Sequence, residues 1–554
     1  MADFNNYRGI LMPDKNNMRQ ILIFLRPYIK EEILLLLLFF VNSGLIIFAP
    51  ILIGFLFDKG IVNRNISLII NYSLIILFIY VIRKCFEYLQ GVLFGYVDQN
   101  IMRDLRSKLY MKKMTLPIDY FKKNKPGEII SIFVDDVNTL SGLLSTLFVN
   151  GLSNIILVLS VAIILVFKSM ILGIVSIAIL IVFVISFKFF NKDFSNTGKK
   201  LRQNSSNFKS KIEESIFHYK SIKSLSTQNI EINNFNDFIS GCFKDSINLI
   251  NLSSISNATI GFISMLGPLL ILYLGAMQII DGSLTVGGLI AINTLLAQLY
   301  TPVVSLAQIN FNFHSAKESI TRIIGFLNEK EEENIGNIEF SGLNNKIEFK
   351  NATFAYTNGK KILNNLSFIV PKGVIALLSG DSGAGKSTIV DLLFRFLSLQ
   401  EGVILFDNIN IKDFEITSYR NNLAVMNQDD FIFKKTLKEN ITYGNALSTL
   451  ADVYYITQSV KLDALIDEPN KLDLTVGEKG STLSGGQKRK ITFARSLLKS
   501  NSNILILDEP SNGLDSESKQ AVIESIKSLK GCKTIIISSH DNDFKQIADI
   551  IINI

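Results

Sequence analysis

Gly380-Asp381-Ser382-Gly383-Ala384-Gly385-Lys386-Ser387-Thr388 stands between the apolar run Val374-Ile375-Ala376-Leu377-Leu378 and the stretch Ile389-Val390-Asp391-Leu392-Leu393-Phe394. The first flank reads as a buried strand and the second as the start of a helix. Strand, glycine-rich turn, Lys-Ser and helix is the context a phosphate-binding loop requires. Glycines let backbone N–H groups close around phosphate oxygens where a Cβ would block them. The helix N-terminus adds unpaired donors and partial positive charge. In such a loop Lys386 reaches the β- and γ-phosphates and the Ser387 hydroxyl ligates Mg²⁺. A chance glycine-rich turn would not need both flanks.

Outside this stretch the chain divides by composition. It has 554 residues, 48% of them apolar, which is too oily for an ordinary soluble protein. The apolar residues concentrate before about residue 315. Ile33–Phe57 holds 25 residues without a charge, enough for a tilted membrane helix. Ile66–Val97 is a second span, interrupted by Arg83, Lys84 and Glu87. Arg83 and Glu87 lie four apart on one helical face and can pair; alternatively such charges face a bundle interior or watery cavity. Leu140–Phe167 and Met170–Phe187 give spans three and four, joined at Lys168-Ser169. Ser246–Ile280 and Gly282–Ala316 lack Asp, Glu, Lys and Arg and give spans five and six.

Basic residues set the orientation. Eight Lys and Arg lie between spans two and three and ten between spans four and five, against only Lys59, Arg64 and Lys168 in the opposite loops. The basic side is cytoplasmic, so both termini and the phosphate-binding half face the cytosol of a multi-pass membrane protein. The net charge of +7 follows these loops and does not point to nucleic acid. Cys85, Cys242 and Cys532 form no CxxC or Cys/His cluster, which argues against a zinc site or disulfide framework. Residues 1–15 are polar, without the pattern of a cleaved signal. Met18–Ile29 reads as either a short interfacial helix or a frayed leader.

The inner segments are more than loops. Asn100–Met114 and Phe208–Leu225 read as helical stalks continuing below the bilayer. The chain should turn back near Pro117-Ile118-Asp119-Tyr120-Phe121 and near Phe217-His218-Tyr219-Lys220. Such turns either touch the soluble domain or are plain surface hairpins. The acidic, then Gly/Asn-rich stretch from Glu329 to Asn345 reads as a solvated linker. From Lys346 strands and helices alternate, as in an α/β nucleotide-binding core.

Asn503-Ile504-Leu505-Ile506-Leu507-Asp508-Glu509 is a buried strand ending in two carboxylates. Asp508 suits Mg²⁺ and Glu509 suits an attacking water. Leu483-Ser484-Gly485-Gly486-Gln487 opens a helix with two glycines, a second anion-binding terminus.

With these residues in place the chain resembles the ABC transporter superfamily, in its type IV exporter branch: a six-helix, all-α transmembrane domain followed by an α/β P-loop NTPase domain. The resemblance covers nearly the whole chain and divides it into residues 1–328, a linker 329–345 and residues 346–554. Gly380–Thr388 looks like Walker A, so Gly380, Asp381, Ser382, Gly383, Ala384, Gly385, Lys386, Ser387 and Thr388 are expected around ATP. Ile504–Glu509 resembles Walker B, and LSGGQ the signature motif. Tyr356 is similar to the aromatic residue that stacks on adenine, and Gln428 to the Q-loop glutamine near Mg²⁺. Thr475–Glu478 resembles the exporter X-loop. Ser511 to Asp515 looks like the D-loop at the dimer contact, with Asn512-Gly513 where the family often has a single Ala. His540 resembles the switch histidine at the γ-phosphate.

The resemblance implies an ATP hydrolase with Glu509, His540 and Lys386 as catalytic residues and Ser387, Gln428 and Asp508 around Mg²⁺. It also implies that Ser484, Gly485, Gly486 and Gln487 complete the ATP site of a second subunit. One such chain is half a machine, and a homodimer is the simplest assembly, an intact half of a heterodimer the alternative. The Leu284–Gly288 and Pro302 positions resemble the family's sixth span, and the two inner turns its coupling helices. The chain ends at Ile554, short of a final strand and helix that relatives usually carry, and leaves no room before Ile33 for a peptidase domain.

For the cargo, Asn251, Ser253, Ser254, Ser256, Asn257 and Thr259 in span five and Asn293, Thr294, Gln298, Tyr300, Gln308, Asn310 and Asn312 in span six suggest an uncharged polar cavity; interhelical hydrogen bonding is the plainer use of such residues. A peptide or peptide-like secondary metabolite is the first expectation, a lipid or hydrophobic drug the alternative. An ATP-gated sensor or channel is the alternative of another class.

Overall fold

The computed structural model describes residues 26–145, 151–334, 336–356, 361–381, 383–429, 431–445, 447–462, 469–499 and 502–554. They fall into two compact units. One takes in the chain up to Leu116 together with Lys123–Lys330, the other Pro117–Lys122 together with Glu331–Ile554.

The first unit is helical. Span one, Ile29–Phe55, runs on into a π-helical turn at Leu56–Ile61. Span two, Ile66–Thr115, starts on Asn65, whose side chain accepts from the Leu68 N–H at 3.1 Å. It stops where Leu116 turns extended, the conformation a following proline imposes on its neighbour. Span three, Leu152–Lys168, is joined through Ser169 to span four, Met170–Phe217. Span five is Gln228–Ile280 and span six Val286–Asn328. Among the described residues, the helices of spans one, two, five and six are long and apolar enough to cross a membrane; Leu152–Lys168 and Met170–Ser186 are shorter apolar stretches. The expected third span overlaps residues 146–150, and Met18–Ile29 overlaps residues before 26; both parts lie outside the described residues. The stalks are continuous with the spans. Both turns occur, as short helices at Ile118–Lys123 and Tyr219–Ser224.

Span six is fixed near both ends by a carboxylate that sits in a π-helical turn. Asp58 accepts from Thr285 Oγ1 at 2.7 Å and from the Gly287 N–H at 2.8 Å. It thereby occupies orphan donors at the helix start, a contact worth roughly 1 kcal/mol. The approach is close because neither helix has a side chain there: a Cβ on Gly287 would lie 2.1 Å from the Gly54 carbonyl oxygen. At the other end Asp136, in the turn Ile132–Asp136, accepts from Ser319 Oγ at 2.7 Å and from Arg322 Nε at 2.8 Å. Between these ends Leu295, Leu296 and Leu299 pack with Val161, Leu165 and Phe183.

The second unit holds two sheets, with strand orders β2-β1-β4-β5 and β6-β7-β8-β3-β9. The first contains β1 (Lys346–Ala355), β2 (Lys361–Pro371), β4 (Glu401–Phe406) and β5 (Ile409–Asn410), paired antiparallel. The second is parallel: β3 (Ile375–Ser379), β6 (Leu423–Met426), β7 (Ile504–Asp508), β8 (Thr534–Ser538) and β9 (Ile550–Asn553). Every residue of β7 and β8 is buried, which is why those strands read as unbroken apolar runs rather than alternating ones. One face packs Leu377, Leu505 and Ile537 against Phe493 and Val522, the other Ala376, Leu378 and Ile506 against Ile389 and Leu393. The carboxyl ends of β3, β7 and β8 therefore open side by side, the usual place for a ligand in such a sheet. Within this unit Lys122 Nζ lies 3.3 Å from Asp391 Oδ2, so the first inner turn does meet the nucleotide half.

Candidate active site

The glycine-rich turn leaves β3 and enters the helix Lys386–Leu393. Gly383 and Gly385 have φ of +86° and +110°. At Gly385 a side chain would be doubly excluded, since a Cβ would also lie 2.7 Å from Ile362 Cγ2. Lys386 Nζ donates to the carbonyls of Gly380 at 2.6 Å and Asp381 at 3.1 Å, which places its charge over the turn. Ser382 lies outside the described residues. Ala384 N donates back to the Asp381 carbonyl at 3.2 Å and closes the turn.

Ser387 and Asp508 come from elements 121 residues apart and meet at 2.9 Å, hydroxyl to carboxylate. Asp508 is 4% exposed. Two hard oxygen donors side by side beneath a phosphate-binding turn, the Asp508 carboxylate buried and the Ser387 hydroxyl open to solvent, fit a Mg²⁺ ion that takes its remaining ligands from phosphates and water. Gln428, the third expected contributor, has an exposed side chain. Its carbonyl accepts from Arg489 Nη1 at 2.7 Å.

Glu509 follows β7 and has left the extended region: its φ is +51°, a conformation that costs a non-glycine residue about 1 kcal/mol or more. Its N–H donates to the Ser538 carbonyl at 2.8 Å, which holds it there. The twist aims the carboxylate sideways. Oε1 lies 3.0 Å from His540 Nδ1, and Oε2 accepts from Ser539 Oγ at 3.3 Å. Glu509 and His540, expected at the γ-phosphate from separate motifs, are therefore brought into contact.

Tyr356 is 39% exposed. Its ring stands edge-on to Phe354, and its hydroxyl lies 3.3 Å from Thr388 Oγ1. A partly exposed ring beside the P-loop helix is suited to stacking on a base. Ser484, in contrast, is engaged in its own helix: a capping box links Ser484 Oγ with the Gln487 N–H at 3.2 Å and Gln487 Oε1 with the Ser484 N–H at 2.8 Å. Among the described residues none of Ser484, Gly485, Gly486 and Gln487 hydrogen-bonds to the P-loop. Gly486 faces the D-loop instead, its Cβ position 3.5 Å from the Gly513 carbonyl. In the D-loop Ser511 Oγ donates to Asp541 Oδ2 at 3.1 Å, and Asp515 caps the helix Ser516–Ser528 through the Ser518 N–H at 2.8 Å.

Three further residues were not singled out from the sequence. Arg489 is 4% exposed and bonds the carbonyls of Gln428, Asp508 and Glu509, tying its helix, Gly485–Leu498, to the end of β7. It sits in Lys488-Arg489-Lys490, where nothing in the sequence distinguishes the buried cation from its neighbours. Ser539 and Asp541 flank His540. Burial alone would raise the Asp541 carboxyl, but hydrogen bonds from Lys519, the Asp543 N–H and Ser511 outweigh it and hold the group below the usual range. Lys519 is raised in turn by its bonds to Asp541 and Asp543.

Residues 33–303 match the ABC transporter transmembrane region, and residues 363–512 match the ABC transporter family model. The chain is 28% identical over 520 residues to the ATP-dependent lipid A-core flippase of Haemophilus influenzae, covering 92% of this chain and 87% of that protein. It is 27% identical over 507 residues to the protein of the same description from Escherichia coli (strain K12), covering 90% and 86%. Its fold matches a solved bacterial Atm1-family ABC exporter with ATP bound, with a TM-score of 0.81, 24% identity and coverage of 96% and 93%. These relatives favour the lipid alternative over the peptide expected first. The polar residues behind the peptide expectation are dispersed around span five, with Asn251, Ser254 and Asn257 exposed and Ser256 buried. The side chains of Gln308, Asn310 and Asn312 lie outside the described ones. The chain is an ABC exporter of the half-transporter kind, a multi-pass membrane domain fused ahead of one ATP-binding domain whose hydrolysis is coupled to transport.

Proposed function

We propose that the chain is an ATP-driven flippase for an anionic, lipid-like amphiphile, working as a homodimer in the cytoplasmic membrane with its termini and nucleotide-binding domains inside. The observation that carries the cargo class is the agreement, across about nine-tenths of the chain, with proteins described as lipid A-core flippases. Span two supports it. Arg83 lies roughly 26 Å along the helix from Ile66, close to one edge of a hydrocarbon core about 30 Å thick. There Arg83 and Lys84 stand 3.0 and 2.6 Å from Glu87, leaving one positive charge over. Tyr80, Val81, Tyr88 and Leu89 line an apolar groove around Lys84 and Cys85. A cation beside an apolar groove, at headgroup depth, suits an amphiphile with an anionic head.

The ATP site is assigned as follows. Tyr356 stacks the base. Gly380–Thr388 and Lys386 hold the phosphates. Ser387, Asp508 and the Gln428 side chain surround Mg²⁺, which neutralises phosphate charge when bound. Glu509 orients the attacking water and His540 contacts the γ-phosphate. The signature residues Ser484–Gln487 serve the partner subunit's nucleotide. Domain limits at 1–328 and 346–554 are part of this reading.

The test is translocation in liposomes of anionic lipid. A fluorescent anionic amphiphile should stimulate ATP hydrolysis and change leaflets only with ATP, while a peptide panel should do neither. Stimulation by peptides alone would reinstate the first expectation and overturn this one.

A further inference from the structure

We infer that Ser539 is a positioning residue for Glu509, and that Asp541 sets its direction. The Ser539 hydroxyl is 1% exposed, and both of its uses are visible. It accepts from the Asp541 N–H at 3.1 Å and stands 3.3 Å from Glu509 Oε2. A hydroxyl has one proton. With the Asp541 N–H directed at its oxygen, that proton is turned toward the carboxylate. His540 holds the other carboxylate oxygen at 3.0 Å. Glu509 is thus gripped through both oxygens, at a residue whose backbone has left the extended region with a φ of +51°.

Asp541 is itself immobilised. Its Oδ2 takes Lys519 Nζ at 2.6 Å and Ser511 Oγ at 3.1 Å, and its Oδ1 takes the Asp543 N–H at 3.1 Å. Lys519 is held a second time by Asp543 at 2.5 Å. Contacts thus run from the D-loop to Glu509 through both ends of Asp541: Ser511 holds its carboxylate, and its backbone N–H holds the Ser539 hydroxyl that faces Glu509. The orientation of the hydrolytic carboxylate is thereby tied to the loop beginning Ser511-Asn512-Gly513, the part of the chain that departs from the family pattern.

This inference rests on Glu509 being the group that orients the water, so the experiment separates the two. ATP hydrolysis is measured on the full chain in liposomes for wild type, Ser539→Ala, Ser539→Thr, Ser538→Ala and Glu509→Gln. Ser538 is the matched control: its hydroxyl is equally buried and has no partner among the described residues, and the alanine variant keeps the backbone carbonyl that bonds Glu509. Ser539→Ala should lower kcat roughly ten-fold, the scale of one lost hydrogen bond to a charged group, with the KM for ATP unchanged. Ser539→Thr keeps the hydroxyl and should recover most of the rate, and Ser538→Ala should behave as wild type. If Ser539→Ala turns over like wild type while Glu509→Gln is inactive, Ser539 has no positioning role. If Ser538→Ala falls as far as Ser539→Ala, the effect is packing and the inference fails. If Glu509→Gln keeps wild-type activity, the assignment of Glu509 fails instead.

Discussion

Glu509 and Glu32 are both carboxylates 9% exposed, one in each compact unit. Glu509 is held by His540 and Ser539. Glu32, in the first turn of span one, has no hydrogen-bond partner for either oxygen among the described residues. The same contrast runs through their surroundings. Around Glu509 the carbonyls of Asp508 and Glu509 are taken up by Arg489, and the Asp508 carboxylate by Ser387. Around the spans, and among the described residues, Asn42 and Gln90 meet at 3.3 Å yet each keeps one buried atom unpaired, and Asn293 Oδ1, Gln298 Oε1 and Tyr300 Oη have no partner. A rigid constellation is what the proposed hydrolysis would need, and the contacts around Glu509 are already in place. Burying polar atoms unpaired is costly, and among the described residues the membrane unit carries several such atoms.

The contrast is broken most severely at Glu509. Glu509→Gln should lower the steady-state ATPase rate by about 10²–10⁴ while nucleotide still binds, as judged by retained fluorescent-nucleotide affinity. Lys386→Ala should act on binding, raising the KM for ATP about ten-fold or more, because a charge-assisted contact to phosphate is lost. A variant of Lys386 that kept its ATP affinity would detach the glycine-rich turn from the nucleotide.

How much of this was legible in the sequence depends on how far apart the partners lie. The P-loop, the buried strand Ile504–Asp508, the membrane stalks and the turn near Pro117–Phe121 were readable because propensity, apolar runs and local turn chemistry act over a few residues. The pair Arg83–Glu87 was readable for the same reason, at one helical turn. Asp58 on Thr285, 227 residues away, was not, and neither was Asp136 on Arg322, 186 residues away. Each depends on a π-helical turn that rotates the carboxylate toward span six, and nothing local marks such a turn. Ser539 next to His540 was in view, but its role depends on the left-handed backbone of Glu509, which a glutamate does not announce.

Asp136 provides the next test, because it is the membrane unit's counterexample: a buried carboxylate that is fully partnered. Asp136→Ala should destabilise the detergent-solubilised protein by about 2 kcal/mol, below the full value for a buried pair because Arg322 is half exposed. Thermal unfolding followed by circular dichroism would read it. Glu32→Gln should do the reverse. Removing an unpartnered buried carboxylate should leave the melting temperature unchanged or raise it by a few degrees; a clear drop would mean that Glu32 has a partner after all.

The smallest effect concerns pH. Asp541 is depressed, so its contribution to stability is present above its unfolded value of about 3.9 and is lost as pH falls through the folded one. Lys519 is raised, so its contribution is present below about 10.4 and is lost as pH climbs through its folded value. The stability difference between wild type and Lys519→Met should therefore be flat across neutral pH and shrink in strong acid. A difference that varied between roughly pH 5 and 9 would assign the titration to some other group.

The most direct measurement is leaflet transfer of a fluorescent anionic amphiphile in liposomes that carry either the wild-type protein or Glu509→Gln. Transfer should require ATP, proceed with the wild type, and be absent with Glu509→Gln despite bound nucleotide. Equal transfer by the two proteins, or none by the wild type while peptides move, would contradict an ATP-driven lipid flippase powered at Glu509.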